Sequence, residues 1–292
     1  MFFLSSLKFF IFLMKHVDYL SNAKLLKLIS KVDECNCWEM TTREIAGLAE
    51  IAAPKLTKFL KSMEMIFNRK DSLYMEYLCG GFVTILDDDY PNTLREIYNP
   101  PAAFFYLGDI DLLKYKSIAI VGAREATWYG KRVTRELVRG LVDNCFVTVS
   151  GMALGIDTYV HEETIIAKGK TIAVVGCGFD TVYPIKNARL HEEIACNHLI
   201  ITEYIRTSRP LPFHFPSRNR IIAGISKGTC IVEAKKRSGS LITAQLALDM
   251  GHEVFAVPGN ILLPSSEGCH KLIQDGAKCV TCFSDILEEF YN

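Results

Sequence analysis

From Lys116 onward the chain repeats one pattern: a short apolar run rich in β-branched residues, then a longer stretch with helical spacing. The runs fall at 118–121, 146–149, 172–175, 199–201, 230–232 and 254–257. The helical stretches fall at 129–144, 156–168, 188–196 and 241–250. Apolar runs without polar alternation are strands buried on both faces. Strands alternating with helices join in parallel through crossovers. The pattern therefore predicts an extended Rossmann-like α/β fold, a mostly parallel sheet covered on both sides. A chain of 292 residues has room for this domain and a smaller one.

Residues 15–78 read as that smaller, helical domain, with the α/β domain over 80–292. Thr41-Thr42-Arg43-Glu44 is a helix start with an oxygen-bearing cap, followed by Ile45, Leu48 and Ala49 at helical spacing. Ala53-Pro54 opens another helix, with Leu56, Phe59, Leu60 and Met63 on one side. Ten basic residues stand against nine acidic ones over 15–78, so net electrostatics do not mark this part as the main binding surface. The segment from about Gly80 to Asp111 reads as a turn-rich connection, with Asp87-Asp88-Asp89-Tyr90-Pro91 and Asn99-Pro100-Pro101. The three aspartates on a turn are read as solvated rather than as a cation site. The first thirteen residues are strongly apolar, Lys8 being their only charge. They fall short of the roughly 20 residues needed to span a bilayer and lack the marks of a signal peptide. They are read as an extension upstream of the fold, with Met14 as an alternative start.

The chain balances 33 basic against 33 acidic residues, which excludes a body coated in positive charge but not a basic groove. Its ten cysteines are scattered, mostly within apolar runs. Cys279 and Cys282 have metal-like spacing, but no second such pair accompanies them. Reduced thiols and a cytoplasmic location are expected, with no metal. Against this neutral background, Arg206, Arg209, Arg218, Arg220 and Lys227 lie between Glu203 and Glu233 with no acidic residue among them. Two of these arginines sit with aromatic rings in Phe213-His214-Phe215-Pro216-Ser217-Arg218-Asn219-Arg220. Guanidinium forks suit phosphates and aromatic faces suit bases, so a single-stranded nucleic acid or a nucleotide is the indicated ligand.

In a sheet of this kind ligands bind beyond the carboxyl ends of the strands. The residues there are Gly122-Ala123-Arg124, the run from Ser150 to Asp157, Gly176-Cys177-Gly178, Glu233 with Arg237-Ser238-Gly239-Ser240, and Pro258-Gly259-Asn260. Helix N-termini at such loops favour phosphate, and together with Arg124, Arg218 and Arg220 they predict a phosphate-binding rim. Catalytic groupings are harder to find. Gly176 and Gly178 lack the third glycine of a dinucleotide fingerprint, the histidines are dispersed, and Ser150 and Ser238 lack a nucleophile elbow. Asp157 and Glu233 have acid–base chemistry, but a cap for Asp157 and a partner for an arginine such as Arg220 for Glu233 are the preferred readings. No enzyme and no cofactor is expected.

These residues resemble the DNA-processing protein A family, also called DprA or Smf. The resemblance runs from about Tyr90 to the C-terminus. It rests on Val121-Gly122-Ala123-Arg124, the run from Ser150 to Asp157, Tyr183-Pro184 with Asn187, the run from Phe215 to Gly224, Glu233-Ala234 with the run from Ser238 to Ala244, and Val257-Pro258-Gly259. It implies an extended Rossmann fold behind a sterile-alpha-motif-like helical domain. It further implies a cytoplasmic, homodimeric protein that binds single-stranded DNA, protects incoming DNA and helps load the RecA recombinase in natural transformation, without a membrane partner. By the same resemblance Arg124, Phe215, Arg218, Asn219, Ser238, Gly239 and Ser240 would line the DNA site, with Arg220, Lys227 and Lys235 as neighbours. Ala123 stands where a hydroxyl residue is usual, and Tyr204-Ile205-Arg206 departs from the family's loop. The C-terminal winged-helix module of some members is not expected. The alternative is a nucleoside-monophosphate hydrolase of a related Rossmann family, with Glu233 catalytic. Such enzymes carry a Pro-Gly-Gly-x-Gly-Thr pattern where this chain has Arg237-Ser238-Gly239-Ser240.

Overall fold

A computed structural model describes residues 6–291. The chain divides into two compact units, the smaller running to residue 90 and including 99–106 and 203–205, the larger taking the rest.

In the smaller unit five helices, α1 (Leu7–Lys15), α2 (Asn22–Ile29), α3 (Thr42–Leu48), α4 (Ala53–Asn68) and α5 (Lys70–Cys79), precede the strands β1 (Gly81–Thr84) and β2 (Ala103–Gly108). The apolar lead segment is not an extension outside the fold. From Leu7 it forms α1, in which Phe9, Ile11, Leu13 and Met14 are completely buried. The Phe9 ring meets Tyr74 at 5.0 Å and Tyr77 at 5.3 Å, and Phe12 meets Phe82 at 5.2 Å. Aromatic pairs of this kind stabilise beyond the area they bury, and from Leu7 the run read as an upstream extension lies in a core. The segment 80–111 is likewise more than a connection, since β1 and β2 pair antiparallel with Phe82 opposite Phe105. Asp87 pairs with Lys8 at 2.8 Å and accepts from the Thr84 amide at 2.7 Å, so the acidic turn closes this hairpin-like ladder.

In the larger unit α6 (Asn92–Arg95) is followed by β3 (Ser117–Val121), α7 (Trp128–Asp143), β4 (Val147–Ser150), α8 (Ile156–Ile166), β5 (Thr171–Val175), α9 (Ala188–Asn197) and β6 (Leu199–Thr202). Then come α10 (His214–Gly224), β7 (Gly228–Ile231), α11 (Gly239–Asp249), β8 (Glu253–Ala256), α12 (Glu267–Gln274), β9 (Lys278–Cys279) and α13 (Phe283–Tyr291). The strands lie in the order β6-β5-β4-β3-β7-β8-β9, every pair parallel. The order runs outward from β3 to β6, then resumes on the other side of β3 with β7. That reversal opens a crevice at the carboxyl ends of β3 and β7, where the following connections leave in opposite directions. Ile118, Ile120, Leu137, Val138, Leu141, Cys230 and Phe255 build one core beneath it.

Candidate nucleic-acid interface

A cavity of about 430 Å³ occupies this crevice. Four strand-end loops and one helix build it. From the β3–α7 loop come Gly122 and Arg124, from the β4–α8 loop Ala153, and from the first turn of α8 Asp157. Tyr183 comes from the segment after β5, and Ser238, Gly239 and Ser240 from the start of α11. The helix is α10, which contributes Phe215, Arg218, Asn219 and Ile222. These lie three, four and seven residues apart and so share one helical face. The stretch that attracted attention as an Arg-aromatic run is thus a helix presenting one side to the cavity.

Each wall has a local cause. Gly155, in the left-handed region at φ 80°, lets the β4–α8 loop pass directly over the Ala123 and Arg124 carbonyls, and the Ile156 amide donates to Ala123 O at 3.1 Å. Arg124 lines the cavity with its side chain exposed. Across from it the Phe215 ring packs on Gly176 and meets the Tyr183 ring at 5.3 Å with a 46° tilt, an aromatic wall whose Tyr183 remains 44% exposed. Ser238 caps α11: its hydroxyl lies 2.7 Å from that of Ser240 and accepts from the Ser240 amide. The positive end of α11 therefore faces the cavity. Asn219 reaches from α10 to the Gly239 carbonyl at 3.4 Å, tying the two helices at the site.

Arg218 stands differently from Arg124. It is 4% exposed, donates to the Val174 carbonyl and lies beside Asp157. The Asp157 carboxylate accepts from the Gly151 amide at 3.2 Å and the Ala153 amide at 3.4 Å. Burial raises the Asp157 pKa, and the Arg218 charge and these amides oppose that rise. Asp157 thus ties its loop rather than capping its own helix.

Of the remaining predicted residues, three stand outside the lining. Arg220 falls off the cavity face of α10, is 6% exposed, and donates to the Ser217 carbonyl at 2.8 Å. Lys227 is exposed and precedes β7, at the opposite ends of the strands from the cavity. Lys235 is exposed after β7 and pairs with Glu125 at 3.1 Å. Glu233 does not hold Arg220. Both its carboxylate oxygens accept from Thr127, one from the hydroxyl and the other from the amide at 2.9 Å, and Gly130 leaves the room this requires. Glu233 borders a separate hollow of about 450 Å³ with Tyr129, Pro258, Gly259 and Ser266. Tyr183, Pro212, Pro216, Ile242 and Thr243 also line the main cavity. Tyr183, Pro216, Ile242 and Thr243 stand in the motifs that carry the resemblance without being singled out for the site, and Pro212 carried no signal. Among the described residues no His, Cys, Asp and Glu side chains gather as a metal-ligating group.

The family model for DNA recombination-mediator protein A matches residues 81–291. The DNA processing protein DprA of Streptococcus pneumoniae is 44% identical over 275 residues, 93% of this chain and 94% of that one. The Bacillus subtilis protein of the same name is 46% identical over 208 residues, 71% of this chain and 70% of that one. The X-ray structure of the Streptococcus pneumoniae protein matches with a TM-score of 0.88 at 42% identity, covering 98% of this chain and 99% of that one. A Helicobacter pylori structure, described for the single-stranded DNA binding mode of DNA processing protein A, matches with a TM-score of 0.65 at 32% identity, covering 71% and 94%. The Rossmann-like sheet, its strand-end loops and this degree of likeness agree: the chain belongs to the DNA recombination-mediator protein A family, also called DprA or Smf.

Proposed function

We propose that the cavity at the β3–β7 crevice binds single-stranded DNA, and that the protein is a recombination mediator without turnover of its own. The carrying observation is the convergence of an exposed arginine, Arg124, an aromatic pair, Tyr183 and Phe215, and the amino end of α11 on one cavity. Arg124 and the helix end suit phosphates, and the rings offer stacking faces that any base can use. The Helicobacter pylori relative, described for binding single-stranded DNA, supports the same ligand. In this reading the protein protects incoming DNA and helps load the RecA recombinase during natural transformation, as a cytoplasmic homodimer. Ile261 and Leu262, 81% and 83% exposed after β8, supply apolar surface for a second copy. Among the described residues no helix is long and apolar enough to cross a membrane.

The hydrolase alternative fares worse on one observation. Glu233 does not border the main cavity, and its carboxylate is committed to Thr127. Incubation with nucleoside monophosphates should release no base, and release that disappears in Glu233→Gln would overturn the choice.

The deciding measurement is titration of labelled single-stranded and duplex oligonucleotides over a range of salt. Saturable, salt-dependent single-strand binding is expected. A second assay, RecA nucleation on single strands already coated by a single-strand-binding protein, should show acceleration by the protein. No single-strand binding at low salt would end the reading.

A further inference from the structure

The smaller unit carries a motif for which the cavity has no use. Its α3 and α4 are joined by a turn of only four residues, 49–52. Glu50 sits there at φ 53°, and the Ile51 amide donates back to Ala46 O at 2.9 Å, closing α3. Pro54, in the first turn of α4, fits a helix start, where a missing N–H costs nothing. Ile45, Ala46, Ala49, Phe59 and Met63 are buried, the two alanines giving the helices little bulk where they meet. Two helices, a tight turn with one left-handed residue and an apolar inner seam are the parts of a helix-turn-helix.

What remains of α4 faces outward. Lys55, Thr57, Lys58 and Lys61 are exposed. The lysines are three residues apart, close to one per turn or about 5 Å along the axis. None of the three side chains takes part in a hydrogen bond or ion pair among the described residues. Glu50 is engaged by Lys27 and Glu44 by the cap at Thr41, so Glu64, exposed one turn beyond Lys61, is the acidic group of α4 that borders this face and offsets part of its charge. Like charges at this spacing repel one another, so the face is unfavourable until an anion lies against it. The near balance of ten basic and nine acidic residues over 15–78 conceals this segregation.

We infer that α3, the turn and α4 form a helix-turn-helix that docks duplex DNA, with α4 in the major groove and Lys55, Lys58 and Lys61 against the flanking phosphates. Charge complementarity names a polyanion. The shape names a duplex: a helix about 10–12 Å across matches a groove about 12 Å wide, which a single strand does not have. The site shares no residue with the single-strand cavity and stands or falls independently of it.

The test uses the full-length protein, a labelled duplex and a labelled single strand. Combined Lys55→Gln, Lys58→Gln and Lys61→Gln should lower duplex affinity about tenfold or more at low salt. The log–log salt slope should fall by up to about 2.7, or about 0.9 for each lost phosphate contact. Single-strand affinity should stay within about twofold, because counterion release is lost only where the lysines act. Thr57→Glu, on the same face, should repeat the duplex loss by repulsion, and Arg124→Ala should leave duplex affinity unchanged. These outcomes together support the inference. It is overturned if the parent protein does not bind duplex, if the triple variant binds duplex as the parent does, or if single-strand affinity falls in step.

Discussion

The Arg218 guanidinium lies directly against the backbone of Gly151, where a β-carbon would overlap it. From α10 this side chain reaches the Val174 carbonyl near the end of β5, and its charge opposes the burial of Asp157 in the first turn of α8. One arginine thus ties α10 to the end of β5 and to the backbone leaving β4 beside the cavity. Its burial assigns it first to the architecture of the site, and Arg124 is the arginine offered to solvent.

Arg218→Ala should therefore act on stability before it acts on binding. Removing the guanidinium takes away the buried donor to the Val174 carbonyl and the charge that opposes the burial of Asp157, and loss of a buried hydrogen-bond partner costs about 1–3 kcal/mol. Urea denaturation should show a loss of that order, and Gly151→Ala a comparable loss through displacement of the same side chain. An Arg218→Ala protein as stable as the parent would show that Asp157 has no need of it.

Arg124→Ala should do the reverse. The side chain is exposed, so folding should change by no more than about 0.5 kcal/mol. Single-strand affinity should fall at low salt, with the salt slope smaller by about 1. A slope identical to that of the parent would remove Arg124 from the phosphate path.

Gly239 offers a cleaner probe of the α11 end. A β-carbon there meets nothing within 4 Å, and the residue does not adopt positive φ. Gly239→Ala should then leave the fold unharmed or raise its stability by about 0.4–1 kcal/mol. If a DNA backbone closes on this turn, the added methyl should weaken single-strand binding in titration. Undiminished binding would mean that the strand passes elsewhere.

The parallel strands were legible because a strand buried on both faces is an apolar run with nothing to interrupt it, as at Ile118–Val121 within β3. The helix α10 was not. Its residues Arg218 and Arg220 are buried on different sides, so no polar face survives to mark a period. Without that period Phe215, Arg218, Asn219 and Ile222 could not be seen as one surface, nor Arg220 as turned from it. The partner of Glu233 was hidden for another reason: Thr127 is more than a hundred residues away, and only the adjacency of β3 and β7 brings the two together. In α1, hydrophobicity was plain but its meaning was not, since a nine-residue run at a chain start has the same composition whether it is buried or dispensable.

His161 gives the fold a pH dependence with a definite sign. It is fully buried in α8, its Nδ1 lies 2.7 Å from the Thr171 hydroxyl, and its Nε2 has no partner among the described residues. A second ring N–H would have no acceptor, and burial lowers the pKa from 6.5 to about 3. Below pH 6.5 the unfolded chain takes a proton that the native ring refuses, so stability falls as the pH drops, until the native ring protonates near pH 3. Within that window the fall approaches about 1.4 kcal/mol per pH unit from this residue. His191 and His198, also lowered by burial, add in the same direction, while the raised Asp157 opposes them above its ordinary 3.8. Comparison with His161→Gln isolates the residue, because glutamine can bond Thr171 but does not titrate. Urea denaturation of both proteins at pH 6, 5 and 4 should show the gap in stability shifting toward the variant by about 1 kcal/mol or more per pH unit. Parallel pH profiles would mean that the native ring accepts its proton after all.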